Sequence, residues 1–277
     1  MTTTTTDHDP TDRNDDRRGF DVAGRAVGDG GFTLVAGPCT VESREQTLAV
    51  ADAVAGGAEM LRGGAYKPRS SPYSFQGLGR EGLTILAEAR ERTGLPVVTE
   101  LLDVRDLEDV AAVADVIQVG ARNMQNYPLL TELGRTDRAV LLKRGLAATL
   151  DELLMAAEYI LKEGNERVIL CERGIRSHET AYRFTLDLLA VPALRERTSL
   201  PVFVDPSHAP GRSDWVEPMS LAAAAAGADG IIVEVHDDPV NALCDGPQAL
   251  DAAAFQGYAE RVRAVAEIAG RGAAVPV

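Results

Sequence analysis

Short apolar stretches rich in β-branched residues recur along the chain from residue 32 onward, and longer amphipathic stretches separate them. The apolar stretches are continuous rather than alternating, which is typical of parallel strands that are covered by helices on one face and packed inside a barrel on the other. Eight of them are predicted to be strands: FTLVAGP (32–38), EMLRGGA (59–65), PVVTEL (96–101), VIQVGA (116–121), AVLLKRG (139–145), VILCERG (168–174), PVFVDPS (201–207) and GIIVEVH (230–236).

The stretches between these strands have the pattern of amphipathic helices, and two of them begin with a capping-box signature. Ser43 is followed three residues later by Gln46, and Thr149 is followed three residues later by Glu152. Strand and helix alternate about eight times, which predicts an α/β protein with a single (β/α)8 (TIM) barrel. The alternative is a doubly wound open sheet, but the Gly-rich G-x-G-x-x-G turn that such sheets usually carry is absent.

The 277 residues, 45% of them hydrophobic, suffice for the core of one barrel domain. Residues 1–19 are expected to form a disordered tail, because a Thr run and mixed Asp/Arg residues offer little apolar surface to offset the entropy cost of ordering. Residues 20–272 are expected to form the catalytic barrel, with 20–27 a candidate for a short strand or a barrel plug. The polar tail is too short for a regulatory domain, so none is expected.

The formal net charge of −14 argues against nucleic acid or a membrane surface as a partner. Only three cysteines occur, Cys39, Cys171 and Cys244, and this odd, sparse set argues against a disulfide framework and favours the reducing cytoplasm. No apolar run reaches transmembrane length, and the N-terminal stretch lacks the apolar segment of a secretory signal.

Polar residues with chemical potential fall at the C-terminal ends of the predicted strands, where the loops of such a barrel converge and its chemistry takes place. A single polar residue at a strand end is usually only solvated. Here nearly every strand ends in a potential ligand or base, which is harder to explain in that way. These residues are Cys39, Arg62, Lys67, Arg69, Glu100, Arg122, Lys143, Arg173, His208, Glu234 and Asp245.

One subset of these residues has the chemistry of a divalent-metal site. A thiolate, an imidazole and two carboxylates suit Mn, Fe, Co or Zn. These residues follow the first, seventh and eighth strands, which a closed barrel brings together. Residue type alone leaves structural roles open and allows His178 and His236 as rival ligands. The candidate ligands are Cys39, His208, Glu234 and Asp245.

The other subset is cationic, with arginines that offer a planar fork for phosphate oxygens and lysines that offer a compact charge. Gathering six cations at one barrel mouth is costly unless anions fill it. We therefore predict substrates that carry phosphate, and the alternative is a ring of exposed ion pairs. The cations are Arg62, Lys67, Arg69, Arg122, Lys143 and Arg173.

With these motifs in order at every strand, the chain resembles the 3-deoxy-D-arabino-heptulosonate 7-phosphate (DAHP) synthase family. The resemblance is to the compact class I branch, which is similar to the 3-deoxy-octulosonate 8-phosphate synthases, and it extends from about residue 22 to residue 268. The segments that carry it are VAGPCTVES, LRGGAYKPRSSPYSFQGLG, VVTE, QVGARNMQN, LLKRG, CERGIR, VDPSHAPGR and IIVEVHDDP with ALCDG.

The resemblance implies a role for each matching residue. The four candidate ligands fall on the family's metal positions, for one divalent ion of uncertain identity. Ala121, Arg122, Lys143 and Arg173 fall on positions that hold phosphoenolpyruvate, and Arg62, Lys67 and Glu100 fall on the same subsite or at its reacting centre. Lys67, Glu100 and Lys143 are the candidate catalytic residues. The aldose phosphate subsite matches Arg69 and Ser70, with Asp205 nearby.

The resemblance also implies an activity: condensation of phosphoenolpyruvate with erythrose 4-phosphate, which gives DAHP and phosphate in the first step of the shikimate pathway. Such an enzyme is a metal-dependent carboligase and a homo-oligomer, either a homodimer or a homotetramer. The sequence K-P-R-S-S (67–71), where octulosonate synthases usually have K-A-N-R-S-S, favours the four-carbon sugar. The alternatives are an octulosonate synthase or an amino-DAHP-type synthase of a specialised pathway, and a catalytically silent barrel that serves as a binding partner.

Overall fold

A computed structural model of the chain describes residues 19–69 and 71–272. Ser70 and most of the predicted tail therefore lie outside the described residues. Within them, a closed barrel of eight parallel strands is surrounded by helices, so the predicted (β/α)8 architecture is confirmed. Among the described residues, no helix has both the length and the apolar character needed to cross a membrane.

All eight predicted barrel strands are present, each within its predicted stretch. Each strand pairs in parallel with the next one along the chain. The last barrel strand, β10 (Gly230–His236), pairs with both β9 (Val202–Val204) and β3 (Thr33–Gly37), which closes the barrel. A short strand, β11 (Leu250–Asp251), extends the edge of β10. The barrel strands are β3 (Thr33–Gly37), β4 (Met60–Arg62), β5 (Val97–Glu100), β6 (Val116–Val119), β7 (Ala139–Lys143), β8 (Val168–Glu172), β9 (Val202–Val204) and β10 (Gly230–His236).

The helices pack their apolar faces against the outside of the barrel, where most of the buried hydrophobic residues form one continuous cluster. Both predicted helices with capping motifs are observed, as α1 and α5. The α-helices of the described residues are α1 (Arg44–Val54), α2 (Arg80–Thr93), α3 (Leu107–Val113), α4 (Tyr127–Gly134), α5 (Leu150–Leu161), α6 (Ala190–Arg195), α7 (Val216–Ala225) and α8 (Phe255–Ile268).

A two-stranded antiparallel hairpin precedes the barrel, formed by β1 (Phe20–Val22) and β2 (Arg25–Val27). Val22 and Val27 are buried and belong to the same cluster as the apolar side chains of the barrel interior. The stretch that the sequence offered as a strand or a plug is therefore both, and it leaves the C-terminal ends of the strands free for chemistry.

Along several strands, an apolar residue inside the barrel is followed two positions later by a polar one. Because side chains two positions apart in a strand point to the same face, the second residue also points inward, toward the C-terminal mouth. The strand alternation thus builds a dry layer beneath a polar one. The apolar layer includes Met60, Val98, Val116, Leu141, Phe203 and Ile232, and the buried polar residues that follow them are Arg62, Glu100, Gln118, Lys143, Asp205 and Glu234.

Candidate active site

The four predicted metal ligands converge at the mouth of the barrel. Each offers one donor atom, and these atoms all lie within 4.8 Å of one another. In the part of the chain that the structure describes, no other group of three or more His, Cys, Asp or Glu side chains meets this criterion. His178 is exposed on a loop, and His236 lies 3.5 Å from Glu42, so the two rival histidines are outside the cluster.

His208 is held in the form that a metal ligand requires. Its Nδ1 lies 2.7 Å from Oδ2 of Asp205, which directs the other ring nitrogen, Nε2, toward Oε1 of Glu234 at 3.2 Å. Burial lowers the pKa of His208 by more than Asp205 and Glu234 raise it, so the neutral imidazole is favoured. A ring that donates Nδ1–H to a carboxylate and presents a bare Nε2 is the usual arrangement for metal-bound histidine.

Glu234 is fully buried but remains ionised. Although burial raises its pKa, neighbouring positive charges, including those of Arg62 and Lys67, hold it well below the ordinary value. Arg62 donates Nη1–H to Oε1 of Glu234 at 2.8 Å. The Glu234 carboxylate in the cluster is therefore charged and fixed in orientation before a metal ion binds.

Cys39 is the member of the cluster that contacts both another candidate ligand and a cation of the cavity. Its Sγ is 3.2 Å from Oδ2 of Asp245 and accepts a hydrogen bond from Nζ of Lys67 at 3.0 Å. A hydrogen bond with Cys244, burial and the charge of Glu234 raise the pKa of the Cys39 thiol. Binding of a metal cation would therefore displace a proton from this sulfur.

Asp245 has a left-handed backbone conformation, with φ of 55°. Residues other than glycine rarely adopt this conformation. Where they do, they are often at functional sites, and the surrounding structure enforces the conformation. The turn places the carboxylate beside Cys39, next to the short 3-10 helix Gly246–Gln248.

A cavity of about 310 Å³ opens beside the four-ligand cluster. Its walls include His208, Asp245 and Glu100, and also Cys244, whose Sγ accepts a hydrogen bond from Nη1 of Arg69 at 2.7 Å. The cavity is strongly cationic although the chain carries a net charge of −14. Its six cationic side chains are Lys67, Arg69, Arg122, Lys143, Arg173 and Arg183.

Arg173 is the clearest sign that the cavity receives an anion. Its guanidinium group is buried over the ring of Phe184, with 4.7 Å from Cζ to the ring centroid, and its Nη1 has no hydrogen-bond partner. Burial lowers the pKa of Arg173. Donors on a buried cation that find no acceptor among the described residues are unfavourable unless a ligand accepts from them.

Two of the predicted site residues support the site from behind the cavity wall. Arg62 pairs with Glu234, and its Nη2 donates to the carbonyl oxygen of Cys39 at 3.3 Å. Asp205 is fully buried and accepts from Nζ of Lys143 at 2.5 Å as well as contacting His208. These residues position their neighbours, whereas Ala121 and exposed Arg122 line the cavity directly.

The site also contains residues that were not predicted from the sequence, among them Gln118, Gly120, Arg183, Phe184 and Gln248. Gln118 donates Nε2–H to Oε2 of Glu100 at 3.2 Å, and its signal was available, since it follows buried Val116 by two positions in β6. Gly120 continues the same alternation within the predicted strand 116–121, whereas Arg183, Phe184 and Gln248 have no periodic pattern around them that indicates a site.

Comparison with known proteins agrees with this geometry. The model of the DAHP synthetase I family matches residues 14–270. A phospho-2-dehydro-3-deoxyheptonate aldolase of Thermotoga maritima is 52% identical over 252 residues, which cover 91% of this chain and 75% of the relative. A 2-dehydro-3-deoxyphosphooctonate aldolase of Geobacter sulfurreducens is 33% identical over 257 residues, covering 86% of this chain and 93% of that protein.

Solved structures give the same result. The crystal structure of the Thermotoga maritima enzyme matches with a TM-score of 0.90 and 50% identity, covering 93% of this chain and 76% of that one. A truncated form of 3-deoxy-D-arabino-heptulosonate 7-phosphate synthase from Thermotoga maritima matches with a TM-score of 0.87 and 46% identity, covering 93% and 95%. The chain therefore belongs to the DAHP synthetase I family.

Proposed function

We propose that this protein is a 3-deoxy-7-phosphoheptulonate synthase, which condenses phosphoenolpyruvate with erythrose 4-phosphate to give DAHP and phosphate at the entry to the shikimate pathway. The observation that carries the proposal is the joint presence, at one barrel mouth, of a four-ligand cluster and a cavity lined by six cations. The greater identity to the heptonate enzyme of Thermotoga maritima than to the octonate enzyme of Geobacter sulfurreducens favours the four-carbon acceptor.

The donor set fits a single divalent ion, because one thiol, one neutral imidazole and two carboxylates lie at mutual distances that one cation can bridge. Cys39, His208, Glu234 and Asp245 would hold Mn, Fe, Co or Zn. When bound there, such an ion supplies a Lewis acid that polarises the aldehyde oxygen of the sugar. The second nitrogen of His208 and the second oxygen of Glu234 are already occupied by protein partners, which favours a fixed geometry.

Phosphoenolpyruvate is bound by the deeper cations. Arg173 offers Nη1, which has no partner among the described residues. Asp205 fixes the position of the Lys143 ammonium through an ion pair. Arg122 lies on the outer side of the cavity, in the 3-10 helix Ala121–Asn123. Together they neutralise the phosphate and carboxylate of the substrate and stabilise the phosphate as its C–O bond breaks. The aldose phosphate is bound at the outer end by Arg69, with Ser70 as its neighbour in sequence.

Proton transfer falls to Lys67 and Glu100. Nζ of Lys67 lies 3.0 Å from Sγ of Cys39, beside the expected position of the aldehyde oxygen, and can protonate the alkoxide that forms there. Glu100 is held by Gln118 at the cavity wall, where it and Lys143 can orient the water that attacks C2 of phosphoenolpyruvate. C3 of phosphoenolpyruvate attacks the aldehyde carbon, and the positive charge that develops at C2 is captured by this water. The tetrahedral intermediate then loses phosphate by cleavage of its C–O bond.

The test is product identification by mass spectrometry with phosphoenolpyruvate and a panel of aldose phosphates. We expect DAHP and inorganic phosphate from erythrose 4-phosphate, with a higher kcat/KM than for arabinose 5-phosphate. A clear preference for arabinose 5-phosphate would instead indicate an octulosonate synthase, and no product with any sugar would indicate a silent barrel. The predicted homodimer or homotetramer is tested on the same sample by light scattering. The three free, buried cysteines support the predicted cytoplasmic location.

A further inference from the structure

Glu234 has both of its carboxylate oxygens engaged by side chains of the protein. Oε1 accepts from Nη1 of Arg62 and lies 3.2 Å from Nε2 of His208, while Oε2 accepts from Nε2 of Gln248 at 2.6 Å. Glu234 is fully buried, so protein side chains surround its carboxylate. The direction in which Oε2 points is therefore set by Gln248 alone among its hydrogen-bond partners in the described residues.

Gln248 is itself buried and rigidly placed. It ends the 3-10 helix Gly246–Gln248, and its backbone N–H donates to the carbonyl oxygen of Asp245 at 3.1 Å. One short turn thus carries a candidate ligand, Asp245, and the residue that orients a second ligand, Glu234. A shift of this turn would move both carboxylates together.

An amide has a donor end and an acceptor end, and the surroundings of Gln248 allow only one orientation. With Nε2 facing Glu234, Oε1 accepts from Nη1 of Arg183 at 2.9 Å. If the amide turned over, two oxygens would face each other at Glu234 and two N–H groups would face each other at Arg183. Arg183 therefore fixes the orientation in which Gln248 can donate to Glu234.

Arg183 joins this pair to the rest of the cavity. Its Nη1 lies 3.5 Å from Oδ1 of Asp245, and its Cζ lies 5.6 Å from the ring centroid of Phe184. Arg173, one of the buried cations of the cavity, lies over the same ring. Arg183 thus contacts the second ligand directly and links both ligands to the loop that follows β8.

We propose that Gln248 and Arg183 are positioning residues that hold Glu234 and Asp245 in the arrangement needed to bind a divalent cation. Gln248 acts on Glu234 by donating to it, and Arg183 acts mainly by fixing the amide of Gln248. This inference rests on the metal site of the proposed function. It adds two residues that supply no ligand atom to the cluster but determine how tightly the cluster binds.

The experiment measures the binding of Mn²⁺ to chelator-treated protein by isothermal titration calorimetry. Gln248→Met keeps the length of the side chain but removes both hydrogen bonds, and we expect binding to weaken about 10- to 100-fold. Arg183→Met should weaken it by a smaller factor, and Arg183→Lys should restore part of the loss. The matched control is Gln256→Met on the exposed face of α8, whose Nε2 donates only to the carbonyl oxygen of Ala53.

The double variant tests whether Arg183 acts through Gln248. We expect the double variant Gln248→Met/Arg183→Met to bind Mn²⁺ about as weakly as Gln248→Met alone. If the two factors by which the single variants weaken binding multiply fully in the double variant, Arg183 does not act through Gln248. Thermal unfolding of the metal-free proteins separates a structural role. If Gln248→Met lowers the unfolding temperature but its folded fraction binds Mn²⁺ with the wild-type constant, the inference is wrong.

Two further outcomes are distinguishable. If the wild-type protein binds no Mn²⁺, Zn²⁺, Co²⁺ or Fe²⁺, the metal site of the proposed function fails, and not only this inference. If Gln248→Met does not fold, Arg183→Met keeps the proposal testable, because the Arg183 side chain is partly exposed at the rim and its replacement creates no large cavity in the core. Wild-type affinity in that variant would then contradict the role of Arg183.

Discussion

The carboxylate of Glu100 occupies space that exists because residue 120 has no side chain. A Cβ built on Gly120 would lie 2.1 Å from Oε1 of Glu100, well inside any normal contact. Gln118, on β6, donates to the other oxygen of Glu100. The position of the candidate base is therefore determined by an amide on β6 and by the glycine directly after that strand, although β6 contributes no charged residue to the cavity wall.

Gly120→Ala should displace Glu100 and lower kcat at least tenfold, because a small misplacement of a catalytic group has a large effect on rate. The measurement is steady-state kinetics with phosphoenolpyruvate and erythrose 4-phosphate. Gly257→Ala on α8 is the control, since its added Cβ would approach only the flexible end of Arg261 at 3.3 Å. An undiminished kcat in Gly120→Ala would remove Glu100 from the mechanism.

Arg173 illustrates how a binding residue can be costly to the free protein. Its burial lowers its pKa, and its Nη1 has no partner in the part of the chain that the structure describes, so the charge is poorly compensated until substrate arrives. Arg173→Met should raise KM for phosphoenolpyruvate about 10- to 100-fold through the loss of charge-assisted hydrogen bonds. In the absence of substrate, the same variant should unfold at a temperature equal to or above that of the wild type.

Arg212→Met is the control variant for Arg173→Met, with unfolding temperature measured by calorimetry and KM by steady-state kinetics. Arg212 also lies over an aromatic ring, with 4.8 Å from Cζ to the Trp215 centroid, but it is exposed and paired with Asp214. Arg212→Met should leave KM unchanged. A large loss of stability in Arg173→Met, with KM unchanged, would mean that Arg173 is a structural cation.

At the scale of elements, the two helices with a capping-box signature show what a local pattern can and cannot predict. In α5 both bonds form: Oγ1 of Thr149 accepts from the backbone N–H of Glu152, and the Glu152 carboxylate accepts from that of Thr149. In α1 only the bond from Gln46 N–H to Ser43 Oγ forms, because Oε1 of Gln46 accepts instead from Glu42 N–H and the Thr47 hydroxyl. The motif predicted where each helix begins, but neighbouring donors decided whether the second bond forms.

Thr149→Ala should therefore destabilise the protein by about 1 kcal/mol, the usual cost of losing a helix cap. Urea denaturation measures this free energy. Thr84→Ala is the control, and we expect it to leave the free energy of unfolding unchanged or to raise it. Thr84 lies on the exposed face in the middle of α2, where its hydroxyl donates to the Arg80 carbonyl oxygen and alanine is the better helix former. Equal losses in the two variants would contradict the capping assignment.

The loops explain why the site was predicted less completely than the fold. Continuous apolar stretches identified every barrel strand. Their position identified polar residues such as Lys143 and Glu234 as candidates, whereas the roles of these residues were implied only by the family resemblance. Arg183 and Gln248 lie in loops whose course depends on tertiary contacts, so no spacing in the sequence places them beside the ligands. Hydrogen bonds between distant segments are needed to identify them.

At the scale of the whole molecule, the two ends of the barrel have different tasks. The β1–β2 hairpin closes the N-terminal end with Val22 and Val27 against the interior apolar layer, while every candidate site residue in the described part of the chain lies toward the other end. This division is general for such barrels, in which one face stabilises and the other reacts. The polar layer at the mouth can therefore be changed with limited effect on the core.

Removal of the metal should for this reason separate activity from folding. Without a cation, Glu234 still pairs with Arg62, and Sγ of Cys39 still accepts from Lys67, so the charges at the cluster retain protein partners. We expect chelator-treated protein to keep its far-UV circular dichroism spectrum and to lose nearly all activity, which Mn²⁺, Zn²⁺ or Co²⁺ then restores. Cys39→Ala should bind these ions more weakly and recover less activity at equal metal concentration. Full activity after complete removal, verified by elemental analysis, would contradict the Lewis-acid role and leave Lys67 as the group that activates the aldehyde.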